Sequence, residues 1–295
     1  MATNVHLVST GFANPQERVC FEPSGRRDTI VRVIRSARER LILSMFRCTD
    51  YRVLRELAAA VDRGVTVDAL LTPRARGWRL KLEDLSALLE SMGVRVRRYS
   101  RPGIKYHAKY IVADHTVALI ASLNLTRKCF RDTCDFVFTT RDPGVVNGLH
   151  SLFEADSNPS GISFSECVSS RLVIGPERAR AGIGAVLLEA RRSIRIIDHR
   201  ISDPWIVELL QSRRAAGVTV ETLEHRALAG LLSHGKLILI DESAAIVGSM
   251  ALSTPSLDLR RELSVVIRDA ACIKKLSGLF CELSGKVWAA TERAS

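Results

Sequence analysis

Two stretches of this 295-residue chain carry side chains that perform acid–base and nucleophilic chemistry, and they carry them at one spacing. "HAKYIVAD" (107–114) and "HGKLILID" (234–241) each set a Lys two residues and an Asp seven residues after a His. The agreement runs further. Ser122 and Ser249 stand 15 residues after their His (122 − 107; 249 − 234), and an acid, Asp135 or Glu262, stands 28 after (135 − 107; 262 − 234). An imidazole moves protons near neutral pH and is itself a nucleophile. A nearby ammonium neutralises an anion, and a carboxylate on the far ring nitrogen fixes the tautomer. Such a set is equipped to attack or to protonate a negatively charged group. One match of this length can arise by accident; two with concordant Ser and acid offsets do not.

The flanking pattern predicts what positions these groups. After each His-x-Lys comes an apolar run, a polar turn and a second apolar run: "YIVA", "DH", "TVALIAS" in the first copy and "LILI", "DES", "AAIVGS" in the second. This reads as strand, tight turn, returning strand. Residues two apart share a strand face, so His107 and Lys109 point the same way, as do His234 and Lys236, and Ser122 with Asn124. Asp114 and Asp241 fall in the turns, where an Asp more often caps backbone amides than performs catalysis.

The duplication extends beyond the motifs. "CFEPSGRRDTIVRVIRSARERLILSMF" (20–46) aligns with "VIGPERARAGIGAVLLEARRSIRIIDH" (173–199) at an offset of 153 (173 − 20), and "GVTV" at 64–67 aligns with "GVTV" at 217–220. The motifs are only 127 apart (234 − 107), so the first half holds 26 more residues (153 − 127) between its "GVTV" strand and its His. Those residues include "LEDLSALLESMG", with helical apolar spacing, and "VRVRRY", which alternates as an edge strand does. The order predicts an α/β fold of two similar halves, each a mixed, largely parallel sheet flanked by helices, packed as a pseudo-dimer. The Ser/Pro/Gly-rich "EADSNPSGISFSE" (154–166) marks the junction, which gives halves of 1–156 and 157–295.

The two motifs, with "ASLN" (121–124) and "GSMA" (248–251), resemble the HKD signature, His-x-Lys-x4-Asp-x6-Gly-Ser-x-Asn, of the phospholipase D superfamily. With the flanking repeats the resemblance covers roughly residues 17 to 290. It implies two α/β halves meeting face to face, both motifs feeding one central site, so that a monomer suffices. It also implies a metal-independent phosphodiesterase or phosphatidyltransferase that forms a phosphohistidine, with His107 as nucleophile and His234 as general acid. Lys109 and Lys236 would then neutralise the non-bridging oxygens, with Ser122, Asn124 and Ser249 as further phosphate contacts. Asp135 and Glu262 are the candidates for orienting the rings. No metal or cofactor is expected. Three departures stand out: Ala121 replaces the signature Gly, Ala251 replaces its Asn, and Asp135 is one methylene shorter than the usual Glu.

Composition narrows the setting. The net charge is +11, and from Arg74 to Arg131 there are 13 Lys or Arg against 4 acids, +9 by difference. Such a field attracts an anionic polymer or an anionic lipid surface. Arg74, Arg76, Trp78, Arg79 and Lys105 form the candidate substrate-contact set, with Trp78 stacking on a base or dipping among acyl chains. The lipid reading comes first, a phospholipase D or phosphatidyltransferase. A metal-independent nuclease is the alternative, and a catalytically dead anion-binding module the second alternative. There is no signal-peptide pattern or membrane-spanning run, so a cytoplasmic protein is expected, with peripheral contact to an anionic membrane. Seven cysteines without metal-ligand spacing fit a reducing setting, and Cys129 and Cys134 read as small buried hydrophobes rather than a redox pair.

Overall fold

A computed structural model of the chain describes residues 16–74, 77, 79–158, 169–224 and 227–285. The first half opens with β1 (Glu17–Cys20), α1 (Pro23–Ser36), β2 (Arg40–Met45), α2 (Tyr51–Asp62) and β3 (Thr66–Leu71). Next come α3 (Arg79–Ser91) and β4 (Arg95–Arg98), the short β5 (Lys105–Tyr106), and a hairpin of β6 (Tyr110–Ala113) and β7 (Val117–Ala121). It closes with α4 (Arg127–Arg131), the short β8 (Thr133–Cys134), β9 (Val137–Thr140) and α5 (Pro143–Ser157).

The second half repeats the plan. It runs β10 (Leu172–Ile174), α6 (Ala179–Leu188), β11 (Ser193–Ile197), α7 (Pro204–Ala215) and β12 (Thr219–Leu223). Then come β13 (Ala227–Leu228), β14 (Leu231–Ser233) and the hairpin of β15 (Lys236–Ile240) and β16 (Ala244–Gly248). The end is α8 (Thr254–Asp258), β17 (Arg260–Arg261), β18 (Leu263–Ile267) and α9 (Ala270–Ser284).

Equivalent positions use equivalent chemistry. Asp50 and Asp203 cap α2 and α7 by accepting from the amides of Val53 and Ile206, each satisfying an orphan helix-start donor. Gly64 and Gly217 follow these helices at φ +83° and +86°, left-handed backbone that a side chain disfavours.

The sheets run β1-β9-β7-β6-β2-β3-β4 and β10-β18-β16-β15-β11-β12. They match strand for strand except β4, which with α3 is the insertion expected from the unequal offsets. β4 lies at the sheet edge, where Arg95 pairs with Asp68 at 3.2 Å and Arg97 reaches Glu154 at 4.0 Å. Charges on an open edge discourage further strand pairing.

Both sheets are mixed, but less parallel than the alternating order suggests. In the first only β2–β3 and β3–β4 are parallel, and in the second only β11–β12. The reason lies in the motif hairpins: a tight turn can join only antiparallel neighbours, and β9 and β18 then add antiparallel to the returning strands.

Helices α1, α2 and α3 cover the outer face of the first sheet, and α6 and α7 that of the second. The inner faces share one core. Tyr110 and Phe138 from one sheet, Leu237 and Leu263 from the other, Phe153 of α5 and Phe280 of α9 are buried together. Truncating Phe153 to Ala would cost about 3–5 kcal/mol, the usual range for emptying a buried aromatic site. This packing brings the motif-bearing ends of the sheets together. There β5 pairs in parallel with β17, and β8 with β14, each pair crossing between halves.

Candidate active site

The crossing pairs fix the chemistry through their register. Tyr106 pairs with Arg261, so the residues that follow, His107 and Glu262, leave their strands side by side. Cys134 pairs with Ser233, so Asp135 and His234 do the same. His107 Nδ1 lies 3.0 and 2.9 Å from the two Glu262 oxygens, and His234 Nδ1 lies 2.8 and 3.0 Å from those of Asp135. Each ring is therefore held by the acid of the other half. Because an ionised carboxylate only accepts, Nδ1 carries the proton in both rings and Nε2 is left for chemistry. The backbone clamps the arrangement: His107 N donates to Arg261 O at 2.9 Å, and Gly235 N to Cys134 O at 2.6 Å. A Cβ on Gly235 would come within 2.7 Å of that carbonyl, so no larger residue permits this approach.

The acids are buried and supported. Asp135 accepts from Ser122 Oγ at 2.6 Å and Thr133 Oγ1 at 2.5 Å, with Arg26 Nη1 3.9 Å away. Glu262 accepts from Ser256 Oγ at 3.1 Å and has Arg260 Nη1 at 3.8 Å. Burial pushes both carboxyls up, but the facing imidazole outweighs it, helped by Ser122 and Thr133 at Asp135 and by the Lys109 charge and Ser249 at Glu262, and both are held below the ordinary range. Ser122 and Ser249 also receive the amides of Phe136 and Leu263. Their hydroxyls are thus turned to the acids and the sheet rather than to an open phosphate position.

Lys109 is buried beside its His, with Nζ 2.8 Å from His107 O and within 3.3 Å of both ring nitrogens. Lys236 Nζ donates to His234 O in the same way. Lys109 is lowered to about 7, chiefly by burial and also by the Lys236 charge, while Glu262 and Asp135 pull the other way. His107 is lowered to about 4, chiefly by burial, with Lys109 and Lys236 adding to the fall and Glu262 opposing it. The charge of Lys236, from the other half, thus acts on both Lys109 and His107.

The surroundings are cationic. Phe46 packs its ring 4.8 Å from that of His107, edge-on, and Lys105 Nζ lies 5.6 Å from the Phe46 centroid. Burial lowers the proton affinity of Lys105, as do the charges of Arg260 and Arg47. Beside His234 a cleft of about 520 Å³ is lined by Arg47, Asn124, Arg127, Lys128 and Leu232 among others. Asn124 Oδ1 is buried there and has no hydrogen-bond partner among the described residues. Its equivalent, Ala251, offers only backbone, whose N–H donates to Ser256 Oγ at 2.9 Å.

The motif aspartates lie apart from this chemistry, in the hairpin turns at φ 52° (Asp114) and 48° (Asp241). Asp114 accepts from the amides of Arg38, Glu39 and Arg40, and Asp241 from those of Arg191, Arg192 and Ser193. Ala121 sits within extended β7. Of the basic loop, Arg74 is exposed, and Arg79 opens α3 with its side chain outside the described residues, as are Arg76 and Trp78. Sequence reasoning did not single out Phe46, Arg47, Arg127, Lys128, Thr133, Ser256 or Arg260. The 127-residue offset was the available signal for Ser256, which it aligns with Cys129 (256 − 129).

The fold and this paired site define a duplicated PLD-like unit. The family model described as "Cardiolipin synthase, PLD-like domain" matches residues 30–157 and 185–284, well over half of the chain, and the chain belongs to that family. Cardiolipin synthase A of Pseudomonas aeruginosa is 33% identical over 153 residues, 51% of this chain and 29% of that protein. The chain therefore spans less than a third of the length of that relative. Among solved structures, a polyphosphate kinase from Porphyromonas gingivalis superposes with TM-score 0.72 at 18% identity, over 90% of this chain and 46% of that one. Phosphatidylserine synthase from Haemophilus influenzae gives 0.70 at 10% identity, over 90% and 86%. At these identities the structural likeness establishes the shared fold alone.

Proposed function

We propose that this chain is a metal-independent phosphodiesterase or phosphatidyltransferase acting on phospholipids, with residues 1–156 and 157–295 as its two halves. The observation that carries this reading is the exchanged pairing: each His is oriented by a buried acid from the opposite half, beside a Lys of its own. A phosphodiester repels nucleophiles, and its leaving alkoxide needs a proton. His107, neutral at pH 7 with Nδ1–H on Glu262, directs the Nε2 lone pair at phosphorus. His234, held by Asp135, delivers a proton from Nε2 to the leaving oxygen. The P–N bond forms as the P–O bond breaks, giving a phosphohistidine. His234 then takes a proton from water or an alcohol, which attacks phosphorus and frees His107. Lys109 and Lys236 stabilise the non-bridging oxygens, and the Asn124 amide donates from the His234 side.

The lipid substrate is supported by the family description and by the cardiolipin synthase relative. The cationic rim formed by Arg47, Lys105, Arg127, Lys128 and Arg260 equally suits a nucleic-acid backbone, which is the second reading. Among the described residues no helix is long and apolar enough to cross a membrane, and we assign membrane contact to this basic surface. The test incubates the protein in EDTA with phosphatidylglycerol or phosphatidylcholine vesicles, and separately with single- and double-stranded DNA and RNA. Release or exchange of a lipid head group is expected. Cleavage of nucleic acid with inert lipid overturns the lipid assignment, and inertness toward all of them overturns the activity.

A further inference from the structure

The two halves differ at several positions beside the acids, and at one of them the first half carries a cysteine. Ser256 donates to Glu262 at 3.1 Å, and the residue at the matching place in the first half is Cys129 (256 − 127). Its thiol lies against the other acid–imidazole pair: ligand atoms of Cys129, Asp135 and His234 all fall within 4.8 Å of one another. The three come from different elements. Cys129 is on α4, Asp135 follows β8, and His234 follows β14 of the opposite half. Cys129 and Asp135 are buried, whereas the His234 side chain is 32% exposed and opens onto the cleft.

From this constellation we infer that Cys129, Asp135 and His234 form a binding site for a single thiophilic divalent cation of the Zn²⁺ or Cd²⁺ class, and that its occupation inhibits the protein. Thiolate, carboxylate and imidazole are the ligands such ions take, with a fourth position left for water. Sulfur, nitrogen and oxygen around a tetrahedral ion stand closer than the present separations, so an inward shift of Cys129 of about an ångström closes the set. The thiol proton and the His234 Nδ1 proton pass to solvent, and thiolate plus carboxylate balance the charge of the ion. The neutral ring then carries its proton on Nε2, too weakly acidic to protonate a leaving group and unable to accept a proton in the following step. The mirror set of Ser256, Glu262 and His107 lacks the soft ligand, so the sensitivity belongs to one half. The inhibitory part of this inference rests on the role proposed above for His234; the binding part does not.

The test is a difference absorbance titration of the purified, metal-free protein with Cd²⁺, which reports a cadmium–thiolate band. Turnover with and without Zn²⁺ is measured on the same samples. A stoichiometric band is expected, lost in Cys129→Ser, together with inhibition by Zn²⁺ that EDTA reverses. Cys129→Ser should need at least about tenfold more Zn²⁺ for the same inhibition, while its metal-free turnover stays near wild type because Ser is the residue the other half uses. Cys129→Ala repeats the test should the Ser variant fold poorly. A missing band, or one that persists in both variants, overturns the site. A band lost in the variants but without effect on wild-type turnover upholds the site and instead removes His234 from the chemistry.

Discussion

The exchanged acids make a prediction that separates the two histidines. Glu262 holds the ring proposed as nucleophile and Asp135 the ring proposed as acid, each through Nδ1 at about 3 Å. Replacing either carboxylate by its amide removes a hydrogen bond to a charged group, worth about 1.5–3 kcal/mol, or roughly 10- to 150-fold in rate. The amide can also present its NH₂ to Nδ1 and select the wrong tautomer, a change that costs about 10⁴ in a serine-protease triad. What distinguishes the two is the leaving group. With a substrate that expels an alkyl alcohol, both Glu262→Gln and Asp135→Asn should fall by 10² or more, since general acid catalysis contributes about 10²–10⁴. A p-nitrophenyl phosphodiester expels a stable anion and needs no proton. Its pre-steady-state burst of nitrophenolate should return to within about tenfold of wild type in Asp135→Asn and stay suppressed in Glu262→Gln. The measurement is a stopped-flow burst, with trapping of the phosphohistidine by rapid quench. If Glu262→Gln is the variant that recovers, the roles of His107 and His234 are reversed. If neither or both recover, the division of labour between the rings is refuted.

Other expectations follow from the same geometry. With His107 held near pH 4 and Lys109 near 7, kcat/KM should fall below about pH 4, where the nucleophile is protonated, and above about pH 7, where free Lys109 loses its charge; a profile flat from pH 7 to 9 contradicts the Lys109 role. The stability consequence of His107 has a definite sign. Its folded pKa lies below the unfolded value, so the unfolded chain binds more protons between about pH 6.5 and 4. That contribution is complete above 6.5 and is lost as pH falls towards 4, and denaturant titrations of His107→Gln should lack the component. Asp114→Ala should cost about 1–2 kcal/mol, the range for losing a backbone cap, yet leave turnover per folded molecule within about threefold; a large fall in kcat assigns that Asp to the chemistry. Binding to anionic vesicles should weaken steeply with added salt if the cationic rim is the contact surface, and salt-independent binding removes it from that role.

Much of the site can be read from spacing because it is written twice. The offsets of 15 and 28 identify Ser122, Ser249, Asp135 and Glu262, and the mismatch between 153 and 127 locates α3 and β4. Which acid serves which ring is not legible. That depends on β5 with β17 and β8 with β14, whose pairings are two residues long and too short to leave a period in the sequence. The parallel share of the sheets is smaller than the alternating order implies for a related reason. Alternation of helices and strands describes β2, β3 and β4 well, but says nothing about where a hairpin inserts. The serines illustrate a further gap: the motif offers each hydroxyl as a phosphate ligand, while the fold has Ser122 donating to Asp135 and Ser249 to the Leu263 carbonyl.

The crossed supply of acids has a consequence for how such a unit can exist at all. A single copy of this architecture has a histidine without its orienting carboxylate, and a carboxylate with no ring to orient. On the proposed chemistry it would become competent only on meeting another copy, so its output would decline faster than its amount on dilution. Tethering both copies in one polypeptide makes the encounter intramolecular, at an effective concentration that no dilution of the protein can lower. Freed from the need to be identical, each copy can then diverge, and Cys129 opposite Ser256 and Asn124 opposite Ala251 are the differences such freedom leaves behind.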